Sequence, residues 1–334
     1  MTAVLEAPVR RRAFAGLAPR GLRWLMWRQL RLAVWVLFGL VVVAGVAAVW
    51  FHGQEVDYIA SHGIAGCEAI SLDPHCQGPG IQQGVLEFRA TYGRTLLGSG
   101  LLLALLPAVV GAGIGAPLLG QELERGTWKL VLSQGVGRGR WVLAKLASAG
   151  LLVAVVSGVL ALMYRWVWQP SGNNVSGIGW YSQAFFASGG PALVAACLLA
   201  LALGALVGAL LRRTLPAMAV TLVLTGLVEY VLYSVRPYLW SGRTVVGQRP
   251  ELTNTTWVFG HGFVRPDGTR LPYYDCFPGD GAQCAAKYAG TKEFTDLHRA
   301  ADYWPLQGME SLICLGAAVL LAVVTVGWIR RRLA

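Results

Sequence analysis

Long apolar runs alternate along this chain with short basic segments and longer polar segments. A helix that crosses a membrane needs about 20 apolar residues, because each residue advances about 1.5 Å through a hydrocarbon core of about 30 Å. Six runs reach this length, and we predict a membrane-spanning helix for each. The six predicted spans lie at residues 32–50, 95–118, 143–163, 185–211, 215–234 and 308–329.

The composition agrees with this pattern. Of the 334 residues, 55% are hydrophobic and only 13% are charged, whereas an average soluble protein carries about 25% charged residues. We therefore predict an all-α polytopic membrane protein in which residues 32–334 form a single six-span domain.

The positions of the charges predict how the chain is oriented. The net charge is +11, from 28 basic and 17 acidic residues. Cytoplasmic segments of membrane proteins are rich in Lys and Arg, so both termini are predicted to be cytoplasmic and residues 51–94 and 236–307 to form two large extracellular loops. Since the basic residues follow the topology, membrane lipid and not nucleic acid is the expected partner of this charge. Most of the basic residues lie in the segments 1–31, 122–145, 212–213 and 330–332.

The amino-terminal segment, residues 1–31, is rich in arginine and contains no long apolar run. Between residues 22 and 30, apolar residues such as Leu22 and Leu25 interleave with Arg23 and Arg28, and two tryptophans are included. We predict that residues 1–31 form a cytoplasmic basic tail with an amphipathic helix in the membrane interface. The alternative is a simple basic tail with no such helix.

Four of the six cysteines lie in the two predicted extracellular loops. Disulfides form in the oxidising environment outside the cell. We expect Cys67 to pair with Cys76 and Cys276 with Cys284, because each pair closes a short loop, although four cysteines allow three pairings. The other two cysteines lie within predicted spans and are expected to be packing residues.

Two acidic residues lie at membrane depth, Glu229 in the fifth predicted span and Glu310 at the start of the sixth. An ionisable side chain there is costly and is therefore a candidate functional group. One hypothesis places the two glutamates on a substrate path, where they would favour cationic amphiphiles. The other is a salt bridge that ties helix ends together. The possible partners of Glu229 are Arg236, Arg94 and Arg165.

The polar segment between the second and third predicted spans, residues 120–146, has the features of a docking element. Gly126 and Thr127 interrupt one helix, and the Thr side chain is suited to cap the next. A short amphipathic helix follows, and the glycine-rich sequence 135–140 ends it, because each glycine costs about 1 kcal/mol relative to alanine. The positions i, i+3 and i+4 that share the apolar face of this helix are Trp128, Val131 and Leu132.

This segment resembles the permeases of type-2 ABC transporters, the ABC-2 family, and most closely the six-span permeases of actinobacteria. The resemblance rests on the pattern ExExGT, a short apolar helix, a turn rich in Gly, Ser and Arg, and a Lys that opens the next span. Weaker matches are WRQLR before the first span, RP after the fifth and YWPLQGMES before the sixth. The matching residues in the segment are Glu122, Glu124, Gly126, Thr127, Ser133, Arg138, Arg140, Trp141 and Lys145.

The resemblance implies that the segment contains a coupling helix seated in a groove of a separate cytoplasmic ABC ATPase subunit, which binds ATP and Mg. It also implies a second permease copy, identical or paralogous, and a location in the bacterial plasma membrane. The alternative is an ordinary loop with a chance ExExGT. The residues expected to couple to the ATPase are Glu122, Glu124, Arg125, Gly126, Thr127, Trp128, Val131, Leu132, Arg138 and Arg140.

The motifs of several catalytic classes are missing from the sequence. It contains no G-x-x-x-x-G-K-[ST] loop, so this chain is expected to bind no nucleotide of its own and to be a transporter subunit, not an enzyme. All five histidines lie in the predicted loops, and we expect no metal site.

The favoured hypothesis is the permease subunit of an ATP-driven exporter that moves a hydrophobic or amphiphilic substrate, such as a drug, antibiotic, peptide or lipid, out of the cell. The alternative is an integral-membrane sensor or immunity protein that binds a ligand through its extracellular loops and transports nothing. An intramembrane enzyme has little support, because no paired catalytic groups lie at matching depth in the spans.

Overall fold

A computed structural model of the chain describes residues 18–69, 73–128, 137–247, 253–272 and 286–332, and for residues 18–30 and 32–33 the backbone alone. Within these ranges six helices are long and apolar enough to cross a membrane, which confirms the predicted number. We call the end of the bundle that carries residues 125 and 138 the inner end, and the opposite end the outer end. Spans 1 to 6 are Ala18–His62, Pro79–Arg125, Arg138–Trp168, Pro191–Leu211, Thr214–Val235 and Tyr303–Arg332.

Span 1 is longer than predicted. The apolar run ends at residue 50, but the helix continues to His62. Its last turns are stabilised by tertiary packing, because Ile59 is buried against Val85 and Phe88 at the start of span 2. The same unbroken helix begins at Ala18 and includes the segment expected to lie in the interface, so the interfacial position of that segment stays a prediction.

Span 2 is a chain of short helices in line. It begins at Pro79, inside the segment predicted to be the first extracellular loop. Two π-helical segments, Arg89–Gly93 and Gly111–Gly115, interrupt it. A further break occurs at Leu105, where the following Pro107 has no N–H to donate to the preceding turn.

Span 4 lies at the centre of the bundle. In this span 67% of the apolar window is buried, whereas at most 33% is buried in any other span. Small residues permit this packing, since a Cβ atom at Gly115 of span 2 would lie 2.7 Å from the backbone oxygen of Leu201. The predicted start at residue 185 is wrong. A short helix, Gln183–Phe186, is followed by a non-helical connection, and the span begins at Pro191, a residue suited to the first helical position.

The second predicted extracellular loop contains a four-stranded antiparallel sheet in the order β1-β4-β2-β3. The prediction of an all-α chain therefore holds for the spans and is wrong for this loop. Two of the strands have only four and three residues, too few for an alternation of polar and apolar positions to show in the sequence. The strands are β1 Arg243–Val246, β2 Trp257–Val264, β3 Arg270–Pro272 and β4 Lys292–His298.

Aromatic contacts attach this sheet to the outer end of the bundle. Trp257 of β2 stacks on Tyr181, with ring centroids 6.0 Å apart. Trp180 donates a hydrogen bond from Nε1 to the backbone oxygen of Thr255 at 2.7 Å. Since Trp180 and Tyr181 belong to the connection between spans 3 and 4, the sheet lies over the outer ends of these spans.

A disulfide joins Cys67 to Cys76, the pairing that closure of a short loop favoured, with Cα atoms 5.5 Å apart. It connects the end of span 1 to the segment that leads into span 2, and both cysteines are buried in the same cluster as Ile59. Cys276 and Cys284 lie outside the described residues, so their pairing stays a prediction.

A buried ion pair joins spans 5 and 6 at the outer end. Arg236 donates to both carboxylate oxygens of Glu310, from Nε at 2.8 Å and from Nη2 at 3.0 Å. Its Nη1 donates to Oε1 of Gln183 at 2.9 Å, and its guanidinium carbon lies 4.1 Å from the ring centroid of Phe186. Glu310 therefore forms the kind of salt bridge between helix ends that the second hypothesis described.

We expect the replacement Glu310→Gln to destabilise the fold by about 3–5 kcal/mol, because it leaves Arg236 charged, buried and without its counter-ion. The measurement is the thermal unfolding midpoint of the purified protein in detergent. Glu293→Gln, at the exposed start of β4, is the matched control and should leave the midpoint unchanged. Equal midpoints for the two variants would contradict this account.

Candidate coupling site

The inner end of span 2 stops at a glycine that adopts a left-handed conformation. Gly126 has φ +70°, and no atom lies within 4 Å of the position that a Cβ would occupy. Glycine is therefore needed here for its backbone conformation and not for lack of space, since the left-handed region is unfavourable for residues with a side chain. The turn directs the chain away from the helix axis. It marks the start of the connection between spans 2 and 3, residues 126–137, which we call the coupling segment.

The two glutamates that precede this turn reach different neighbours. Positions two apart on a helix lie on nearly opposite faces, so Glu122 and Glu124 cannot serve one partner. Glu122 forms a salt bridge with Lys145 of span 3. Lys145 also donates to the backbone oxygen of Leu118 at 3.3 Å, and it lies 5.5 Å from the ring centroid of Trp141. This contact joins spans 2 and 3.

Glu124 joins span 2 to span 5. Its Oε2 accepts hydrogen bonds from the backbone N–H of Thr214 at 2.9 Å and from the Thr214 hydroxyl at 2.6 Å. Thr214 is the first residue of span 5, so the carboxylate satisfies a free N–H at a helix N-terminus, where negative charge is favourable. We call the contacts of Glu122 with Lys145 and of Glu124 with Thr214 the two latches.

A buried cluster underlies the latches. Trp141 is fully buried, and Leu119, Ala209 and Ile329 pack around it from spans 2, 4 and 6. Trp128 packs against the edge of this cluster from the coupling segment. The inner ends of spans 2, 3, 4 and 6 are therefore in mutual contact, and Trp128 packs against them.

The structure brings together some of the residues that the sequence predicted and leaves others apart. Val131 and Leu132 lie outside the described residues, so the short helix that was to carry them stays a prediction. Arg125 approaches the amide of Gln121 on its own helix. Arg138 opens span 3, and Arg140 is exposed.

Sequence reasoning missed Thr214 and the contacts of both glutamates within the chain. Each glutamate contacts another span, and its coupling to an ATPase stays a prediction. Lys145 was noted as a matching residue without its partner. Nothing in the sequence connects Thr214 to Glu124, because 90 residues separate them, and only packing of spans 2 and 5 brings them together.

The two acidic residues at membrane depth, Glu229 and Glu310, differ in their contacts. Glu310 is neutralised by Arg236. Arg165 lies instead over the rings of Tyr303 and Trp304, at 5.6 and 5.0 Å. Among the described residues, none of the arginines considered as partners of Glu229 forms an ion pair with it.

The six long apolar helices define a polytopic membrane protein. A family model described as ABC-2 membrane transporter related matches residues 38–236, more than half of the chain, so the chain belongs to this family. The protein is accordingly a membrane transporter permease, a class that works with an ATPase subunit. No curated protein and no solved structure matches the chain.

We expect a double-mutant cycle of Glu122→Gln with Lys145→Met to give a coupling free energy of about 1–3 kcal/mol, since the two side chains are in direct contact and largely buried. The measurement is thermal or denaturant unfolding in detergent. The matched control is Glu124→Gln with Lys145→Met, whose effects should add, because Glu124 binds Thr214. A coupling near zero for the first cycle would contradict the latch.

Proposed function

We propose that this chain is the permease subunit of an ATP-driven exporter of a hydrophobic or amphiphilic substrate. Two copies of the permease, identical or paralogous, form the transport unit. Separate cytoplasmic ATPase subunits bind ATP and Mg and act on the segment between spans 2 and 3. Family membership supports the permease role, and the absence of a phosphate-binding G-x-x-x-x-G-K-[ST] loop from the sequence fits hydrolysis on another chain.

The observation that carries the proposal is the pair of latches. A coupling element changes a transport path only if its contacts differ between two states. The end of span 2 is tied to span 3 through Glu122 and to span 5 through Glu124. A force applied to the segment beside Gly126 would therefore be transmitted to spans 2, 3 and 5 together. A connecting loop without such contacts would not transmit it.

The partner is tested by affinity purification of the tagged protein from its native membrane, followed by mass spectrometry and an ATPase assay. A stoichiometric ATPase with a phosphate-binding loop supports the exporter. A chain that purifies without any ATPase and still binds a ligand through its outer loops would instead support the sensor hypothesis and overturn this proposal.

We expect Glu124→Ala and Thr214→Val each to lower the ATPase stimulation of the purified complex by at least about fivefold, since the first removes the acceptor of both hydrogen bonds and the second removes the hydroxyl donor. Thr214→Val leaves the ExExGT pattern intact, so it separates a latch within the permease from a direct contact of Glu124 with the ATPase. The amounts of folded permease and bound ATPase should stay equal to those of the parent protein. Full stimulation in both variants would refute the latch as a coupling device.

A further inference from the structure

Span 5 carries a polar stripe within its apolar length. Thr221, Thr225 and Glu229 follow one another at intervals of four residues, so they lie along one side of the helix. The sequence alone does not show that these three polar residues act together. Their neighbours in the fold indicate that they belong together.

The two threonine hydroxyls of the stripe are orphaned. Thr221 is fully buried and Thr225 is 2% exposed, and neither hydroxyl has a hydrogen-bond partner within the described part of the chain. A threonine in a helix commonly bonds the carbonyl four residues earlier, as Thr325 of span 6 does with Leu321 at 2.7 Å. A buried hydroxyl that makes no such bond needs an explanation.

The charge balance beside the stripe is unequal. The charged neighbours of Glu229 are Glu310 and Arg236. Arg236 is already engaged, because its three donor nitrogens bind Glu310 and Gln183. Across the ranges that the structure describes, Glu229 forms no ion pair or hydrogen bond. Of these two acidic groups and one basic group, Glu229 is therefore the one left without an ion-pair partner among the described residues.

Glu229 can be reached from outside the chain. It lies at the border between the buried side of span 5 and its exposed side, and it is itself partly exposed. Gly226, three residues before it, is exposed, and no atom lies within 4 Å of a Cβ placed there. Tyr230 and Tyr233 follow Glu229 by one and four residues on the same helix and are 68% and 52% exposed.

A carboxylate beside aromatic rings is suited to an organic cation, which is attracted by the charge and by the faces of the rings. We propose that Glu229, Thr225, Tyr230 and Tyr233 form a binding site for a lipophilic cation, and that such cations are the substrate class of the exporter. The assignment of such cations as substrates rests on the proposed function. The binding site itself is argued from the positions and the exposure of these residues. Glu310 is not part of the site, because its carboxylate is already paired with Arg236.

The test is equilibrium binding of radiolabelled tetraphenylphosphonium to the purified full-length chain in detergent. Unlabelled tetraphenylphosphonium should displace it, and radiolabelled tetraphenylborate, of the same shape and opposite charge, should not bind when it is measured in a separate experiment. We expect Glu229→Gln to weaken binding by at least about tenfold, as loss of a direct charge contact does, and Thr225→Val to weaken it less. Thr325→Val, a buried threonine outside the site whose hydroxyl is already bonded, is the control and should bind like the parent protein.

Stability provides a second measurement that a structural role would move differently. Glu229→Gln removes a carboxyl group that has no ion-pair partner among the described residues, so its thermal midpoint should equal or exceed that of the parent chain. A clear fall would mean that Glu229 is paired within the fold, and it would overturn the site. Absence of tetraphenylphosphonium binding to the parent chain, or equal binding by Glu229→Gln, would also overturn it.

The site and the exporter can fail separately. If an ATPase copurifies and is coupled but Glu229→Gln binds the cation normally, the exporter stands and this site is refuted. If the cation binds through Glu229 but no ATPase associates, the site stands and the exporter proposal is refuted.

Discussion

A charge in a bilayer is costly unless a partner neutralises it, and that constraint shapes both ends of this bundle. At the outer end Arg236 and Glu310 neutralise each other and fix span 5 against span 6. At the inner end Glu122 and Lys145 do the same for spans 2 and 3. Between these ends the spans are held by close packing of small residues around span 4. The charged pairs therefore set which helix ends meet, and packing sets how closely the helices approach.

Span 5 connects the two proposed activities of the chain. Its first residue, Thr214, donates hydrogen bonds to Glu124 at the inner end of the bundle. Glu229 lies on the same helix about 22 Å further along, at about 1.5 Å per residue. A helix transmits a shift or rotation along its length because its backbone hydrogen bonds resist bending. A movement imposed at the latch would therefore change the surroundings of Glu229 without any need for a longer route through the bundle.

The outer part of the protein is built on a different principle. Above the spans, the described residues are held by the disulfide of Cys67 with Cys76 and by aromatic contacts such as that of Trp257 with Tyr181. These interactions do not depend on a low dielectric, and they suit a layer that stands in water. Short strands in this layer find their partners only through the sheet, which accounts for the failure of an all-α prediction there.

The sequence by itself determined the number of spans, their approximate places, the favoured disulfide and the polar segment after span 2. These follow from local properties, namely the length of apolar runs, the distance between cysteines and the cost of glycine in a helix. The ends of spans 1 and 4 could not be read in the same way, because contacts of Ile59 and the cap at Pro191 decide them. The partners of Glu122, Glu124 and Glu310 were decided only by the tertiary structure. Each of these contacts joins residues that are far apart along the chain, and a pattern of neighbouring residues carries no information about which helices will meet.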